Sequence, residues 1–266
     1  MSRPSLLKSI STPFENIPKP LSVFLGLLIW AIVIGIWASL TYTGIIKEMF
    51  LPTPDKVLTT AASMAVDGTL WEHSLSSLQV VVMGFVISSI LAIPVGLMMG
   101  SYRVVQSFLE PLVNFIRYLP VTSFVPLFIL WIGIDLKQRV ALIVFATFFQ
   151  QLVMFADAAR SVPRDLVNAA YTLGTRRTET VFHIILPATL PQIMDILRVT
   201  MGWAWTYVVV AELVAARSGL GYISLKAMRG FQVDVIFMAI GMIGIMGLFT
   251  DTVFRLLRRF VAPWAN

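Results

Sequence analysis

Long runs without a charged residue alternate with short polar interruptions along this chain. About 20 apolar residues cross a hydrocarbon core of ~30 Å, so each run is measured against that length. The first runs from Pro20 to Ile46, with a span expected over residues 21–43. A hydrophilic connection, Ile46–His73, follows, and Pro54 within it suits the first turn of a short interfacial helix. The second span falls inside the uncharged run Ser74–Tyr102, and the turn at Arg103 is short. The third is less regular. Glu110 and Arg117 precede its apolar run, Tyr118–Ile134, and Pro111, Pro120 and Pro126 punctuate it. Proline removes a backbone donor, so this span is expected to be bent or partly unwound. Asp135–Arg139 leads into a fourth span, Val140–Ala156. A fifth, about Pro191–Val214, carries Asp195, Arg198 and Glu212. A second hydrophilic connection, Ala215–Asp234, contains a Ser-Gly-Leu-Gly turn at 218–221. The sixth span, Val235–Thr250 and a little beyond, ends against Arg255, Arg258 and Arg259. The pattern predicts an all-α polytopic membrane protein with six transmembrane helices, without internal repeat or low-complexity segment.

Composition agrees. The 266 residues are 58% hydrophobic and 13% charged, and the mean hydropathy is +0.84. A soluble domain carries about 25% charged residues. The runs are too continuous for the alternation of a membrane β-barrel. The net charge of +6 does not point to nucleic acid here, because loop Lys and Arg set membrane orientation. With the N-terminus inside, the inner segments hold eleven Lys and Arg, among them Arg3, Lys19, Arg103, Arg160, Arg164, Arg176 and Arg255. The outer segments hold seven, from Lys47 to Arg229. Both termini are therefore expected in the cytoplasm, with residues 1–20 a cytoplasmic tail. The run after that tail is longer than a signal-peptide core and lacks a clear cleavage site, so it is read as retained. Cysteine is absent, which excludes disulfides, iron–sulfur clusters and a thiol nucleophile. His73 and His183 lie far apart in the chain and give metal binding no local support. Nothing suggests a catalytic site.

One polar interruption stands out: Arg160–Pro187, RSVPRDLVNAAYTLGTRRTETVFHIILP. Pro163 fits the first turn of a helix, and Asp165 suits its positive end. Leu166, Ala169, Ala170 and Leu173 recur at helical spacing, and Gly174 fits the left-handed position that ends a helix. A helix over 163–173 is expected, then a second short one from Thr175 toward Ile185, with Pro187 bending the chain into the fifth span. Without further context, such an element is either a docking surface or a helix lying on the bilayer.

The spacing Asn168-Ala169-Ala170, three residues, Gly174, nine residues, Ile184, one residue, Leu186-Pro187 resembles the EAA loop of bacterial importer permeases, the type I membrane subunits of ABC transporters. Six of the seven signature positions match; the family usually has Glu where this chain has Asn168. Arg117-Tyr-Leu-Pro120, Phe124-Val-Pro126-Leu, Trp131-Ile-Gly133, Val-Val-Ala-Glu212 and Gly219-Leu-Gly-Tyr222 resemble the nitrate/taurine/sulfonate/bicarbonate branch, over roughly residues 65–260. Tyr118 replaces that branch's first Pro and Phe124 its Trp, where the family's pore narrows. The resemblance implies the transmembrane domain of a type I importer in the bacterial inner membrane. It implies a second permease subunit, for which a homodimer is preferred. It also implies two ABC ATPase subunits docked on the cytoplasmic loops, and an external solute-binding protein. No cofactor is expected on this chain; ATP and Mg are expected on the ATPase, and independently the chain has no Gly-Lys dipeptide and so no phosphate-cradling P-loop.

Other residues carry weaker expectations. Ionisable groups within spans are functional candidates because unpaired charge there costs several kcal/mol. Arg117 is a candidate for attracting an anion, or it snorkels to the interface. Glu212 either lines an external gate or is a structural hydrogen-bonding group. Pro120, Phe124 and Trp203 complete the candidate solute pathway, although interface aromatics and core packing also account for Trp203, Trp205 and Tyr207. Asp195 with Arg198, and Asp157 with Arg160, are expected to pair along their helices. Gly241, Gly244 and Gly247, like Gly96 and Gly100, are expected to allow close helix packing. The function expected is a permease subunit for a small anionic solute. A self-sufficient secondary carrier or channel is the alternative, disfavoured by the lack of an inverted repeat. A membrane enzyme would need clustered His, Asp or Ser groups, which are not visible.

Overall fold

The computed structural model of the chain describes residues 17–265. Most of the expected tail, residues 1–20, lies outside them. Helix α1, Lys19–Tyr42, is apolar all round and exposed along nearly its whole length. Its C-terminal end is fastened. Trp37 stacks on Phe237 at 5.7 Å and its Nε1–H donates to the Pro52 carbonyl at 2.9 Å. The Tyr42 hydroxyl donates to Asp55, and this bond, with a second from Thr53, holds the Asp55 carboxyl below its ordinary range. Helix α2, Pro54–Val66, opens on Pro54 as the sequence predicts. The remaining helices are α3 (Thr69–Ser101), α4 (Arg103–Arg117), α5 (Val125–Ile132), α6 (Leu136–Arg160), α7 (Arg164–Thr172), α8 (Arg177–Thr180), α9 (Leu186–Ala215), α10 (Leu220–Arg229) and α11 (Val233–Val261). The described residues form no strand.

Five helices are long and apolar enough to cross a membrane: α1, α3, α6, the continuous stretch Val181–Val214, and α11. A sixth crossing exists only if α4 and Val121–Ile132 count as one, and these meet at 89°. The third span, expected to be bent or partly unwound over Tyr118–Ile134, is broken in this way. It consists of a 3-10 turn, Val121–Phe124, and the 8-residue α5, which rises only about 12 Å. Pro120 supplies the break. Its ring fixes φ and disfavours helical geometry for the residue before it, and Pro126 sits in the first turn of α5.

Two further expectations change. The connection 215–234 is not merely hydrophilic: α10 forms there, with Leu220, Ile223 and Ala227 buried on one side. Nor does Pro187 interrupt the helix. A π-helical turn, Val181–Ile185, precedes it, and the Leu186 N–H reaches back to the Val181 carbonyl. The wider turn accommodates the proline ring and its missing donor, so α8, this turn and α9 run on.

The interior is organised by α3 against α6. A Cβ added at Gly84 would lie 2.6 Å from Ile143 Cβ, and one at Gly96 would lie 2.7 Å from Phe155 Cβ and 2.9 Å from the Leu152 carbonyl. Gly100 meets Ala156 and Ala159 in the same way. Ser88, Ser89, Gln151 and Thr200 join α3, α6 and α9 in a buried network: Ser88 Oγ donates to Gln151 Oε1 at 2.8 Å. Gln151 Nε2 donates to Ser89 at 3.1 Å and to Thr200 at 3.2 Å. Backbone approach and polar clamps substitute here for a hydrophobic drive that lipid does not supply. Gly96→Val is therefore expected to lower the unfolding midpoint in detergent, at a cost of about 1–3 kcal/mol. Gly26→Val, where nothing lies within 4 Å, is expected to leave it unchanged. The Gly241, Gly244 and Gly247 row is not packed in this way: among the described residues, nothing outside its own helix backbone lies within 4 Å of a Cβ added at any of them.

Candidate functional site

The 160–187 loop folds back onto the end of the bundle. Helix α7 starts at Arg164, with Pro163 just outside it and Asp165 in the first turn. It ends in a Schellman arrangement: the Gly174 N–H donates to the Tyr171 carbonyl and the Thr175 N–H to the Ala170 carbonyl, both at 3.0 Å. Gly174 takes φ +86° with nothing within 4 Å of an added Cβ. The glycine is there for its backbone conformation.

The apolar positions of α7 divide between two sides. Ala170 is buried, and Val167 packs on the cluster containing Ala159, Val181 and Ile185. Ala170 therefore does not share the outward side with Leu166, Ala169 and Leu173, all of which are exposed, Leu173 by 86%. Asn168 is exposed and lines a groove of about 530 Å³ with Arg103, Gln106, Arg160, Arg164 and Tyr171. Ile184 and Leu186 are half-buried, and Pro187 is exposed in the first turn of α9. The exposed signature residues thus lie on a platform whose underside contacts both α6 and the α8–α9 stretch.

The candidate pathway residues do not form one cluster. Arg117 ends α4; its Nη2 donates to the Tyr118 hydroxyl at 2.8 Å and its guanidinium lies over that ring at 4.8 Å. Its Nε is buried without a partner. Pro120 is exposed at the break, and Phe124 begins an aromatic row, 4.5 Å from Phe145, which in turn is 5.4 Å from Phe149. Trp203 is half-buried on α9. Glu212 lies at the other end of α9 from the loop and is 1% exposed. Among the described residues no hydrogen bond or ion pair joins Arg117 to Glu212.

Glu212 has partners that sequence reasoning missed. Ser77 Oγ donates to its carboxylate at 2.8 Å, and the Gly221 N–H donates at 2.8 Å. The Leu220 N–H donates to Ser77 Oγ at 2.8 Å, the Gly219 N–H to His73 Nδ1 at 3.2 Å, and Arg139 Nη1 to the Ser218 carbonyl at 3.1 Å. Gly219 adopts φ +126°, and a Cβ there would overlap the Glu212 carboxylate. The start of α10 is thereby fastened to α3, α6 and α9 around one buried acid. The Gly-Leu-Gly turn was the visible signal. Its pairing with Ser77, 143 positions from Leu220, was not.

Two charge pairings differ in outcome. Asp157 and Arg160 pair at 3.2 Å as expected. Asp195 and Arg198 do not pair with each other: Arg198 binds Asp251 on α11 through two nitrogens, and Asp195 meets Arg258 at 3.5 Å. The carboxylate presented by α11 gives Arg198 a two-pronged contact, which a neighbour three residues along the same helix does not match.

A bundle of apolar helices with one capped polar helix set between two crossings defines a multi-pass membrane protein. Residues 92–264 match the family described as "Binding-protein-dependent transport system inner membrane component". A protein of Brucella melitensis biotype 1 named as a probable ABC transporter permease is 39% identical over 90% of this chain and 96% of its own. The taurine transport system permease protein of Escherichia coli K12 is 31% identical over 93% of this chain and 92% of its own. Among solved structures, the methionine ABC transporter MetNI in an inward-facing form superposes with a TM-score of 0.63 at 20% identity, over 74% of this chain and 96% of that one. The chain belongs to the binding-protein-dependent ABC importer permeases, and is a transport subunit rather than an enzyme.

Proposed function

We propose that this permease forms half of the translocation pathway of an ATP-driven importer for a small anionic solute of the nitrate, taurine/sulfonate or bicarbonate class. ATP and Mg are held, and the ATP hydrolysed, by two separate ABC ATPase subunits, and an external binding protein delivers the solute. A second copy of the chain completes the pathway. The protein sits in the bacterial inner membrane with both termini in the cytoplasm, the orientation favoured by the Lys and Arg count. The observation that carries the coupling role is the outward row Leu166, Ala169 and Leu173 on a capped helix whose underside is packed on the bundle. The taurine permease relative supports the solute class, and Arg117, with its unpartnered buried Nε, is the cation offered to an anion.

The mechanism follows from the way α7 is mounted. Val167 packs on the cluster that holds Ala159 of α6 and Val181 and Ile185 of the turn before α9, and Ala170 is buried. Displacement of α7 by a closing ATPase pair therefore moves both helices, and α3 with them through its glycine contacts and the Gln151 network. The pathway switches between inward and outward opening as discrete packed states.

The test is to purify the tagged chain from its own membranes. A co-purifying subunit of ATPase size, with vanadate-sensitive ATP hydrolysis, is the expected result. Uptake into vesicles by the purified chain alone would instead make it a self-sufficient carrier and overturn this reading.

A further inference from the structure

At the loop-side end of the bundle, α9 and α11 enclose a pocket of about 240 Å³ lined by Asp195, Arg198, Arg255, Arg258 and Arg259, with Met194 and Phe254 as its apolar floor. Asp251 borders it through its bonds to Arg198 and Arg255, the latter at 2.8 Å. Four guanidinium groups thus face two carboxylates. Asp251 is shared by two arginines, and Asp195 meets Arg258 at 3.5 Å. Arg258 Nε is buried with no partner, and among the described residues Arg259 makes no ion pair. A buried guanidinium donor left unsatisfied in a positive pocket calls for an oxyanion from outside the chain.

The pocket's depth says where that oxyanion would come from. Arg198 lies 17 residues before the end of α9 at Ala215, and Asp251 lies 18 residues after the start of α11 at Val233. At 1.5 Å per residue both are about 25–27 Å from the other ends of their helices. That is the edge of a hydrocarbon core of ~30 Å. Phe260 and Trp264, both exposed, stand at the same end, as aromatic residues do at headgroup level.

We propose that this pocket binds the phosphodiester of an anionic phospholipid, with Arg258 and Arg259 as the principal donors and the acyl chains running along the exposed face of α11. Basic pockets between transmembrane helices at an interface recognise such headgroups. The arginine–aspartate pairs position the guanidinium groups; the excess positive charge makes the site.

The experiment uses the full-length chain in mild detergent with equal amounts of phosphatidylglycerol and phosphatidylcholine, and reads bound lipid by native mass spectrometry. Phosphatidylglycerol is expected to be retained in preference. Arg258→Gln with Arg259→Gln should reduce that preference by roughly fivefold for each arginine removed. Arg259→Gln alone breaks no ion pair among the described residues, and should lose one such step without changing the unfolding midpoint. Lys47→Gln, at the far end of the bundle, should leave retention unchanged. Equal retention of the two lipids, or unaltered preference in both arginine variants, overturns the proposal. A parallel sample carries inorganic phosphate in excess. Persistence of bound phosphatidylglycerol there supports the lipid as the source, and displacement by free phosphate overturns it.

Discussion

Gly174→Asp is expected to leave the chain inserted in the membrane while abolishing both ATPase co-purification and solute uptake. The position matters for two separable reasons. Its φ of +86° is held by the two bonds that close α7, at Gly174 and Thr175. An alanine there would cost about 1–2 kcal/mol of left-handed strain. Asn and Asp tolerate this conformation far better, so neither is expected to unwind the helix. What Asp adds is a charge next to Leu173, the most exposed apolar residue of the outward row. That charge would be desolvated wherever a partner covers the row. Gly174→Asn is therefore expected to retain most of the uptake, and Gly174→Asp none. Membrane fractionation, co-purification and uptake of a labelled solute together make the measurement. Normal uptake by Gly174→Asp would sink the coupling role of this loop. Equal failure of both variants would mean that the partner approaches too closely for any side chain at 174.

The contrast between what was legible in the sequence and what was not has a physical basis. Crossings were visible because a membrane imposes length and hydrophobicity locally, and α3 and α6 begin and end within about five residues of their uncharged runs. The α7 cap was visible because glycine after an apolar periodicity has one strong structural meaning. The Asp195–Arg198 expectation failed because spacing along one helix is blind to a better acceptor on another, here Asp251, 53 positions away. The bend of the third crossing was legible because its prolines interrupt the apolar run, but its size was not; the chain turns by nearly a right angle at Pro120. Gly84, Gly96 and Gly100 show their role only against α6. The Gly241 row resembles Gly96 and Gly100 in sequence and lacks such a neighbour among the described residues.

The other large effect is expected at Glu212. Its two carboxylate oxygens receive Ser77 Oγ, at 2.8 and 2.9 Å, and the Gly221 N–H at 2.8 Å, in a site closed to water. Glu212→Leu would strand both donors, at about 1–3 kcal/mol for each unsatisfied group. It would also crowd the Gly219 and Gly221 backbone, which approaches the Glu212 side chain too closely for a Cβ. The expected result is a markedly lower unfolding midpoint, proteolytic cutting near Ser218, and loss of uptake, with α7 and its cap undisturbed at the far end of α9. Glu212→Gln separates shape from charge. Its Oε1 can accept from Gly221, and its Nε2 can donate to Ser77 Oγ, which has a lone pair beyond the one used by the Leu220 N–H. Gln is therefore expected to restore the unfolding midpoint and protease resistance. If Leu is tolerated at full stability, the acid is not what fastens α10 to the bundle. If Gln folds normally but uptake remains lost, the carboxylate charge acts on the solute or on the outer gate, the role that the arrangement at Ser77 and Gly221 leaves open only in another conformation of the pathway.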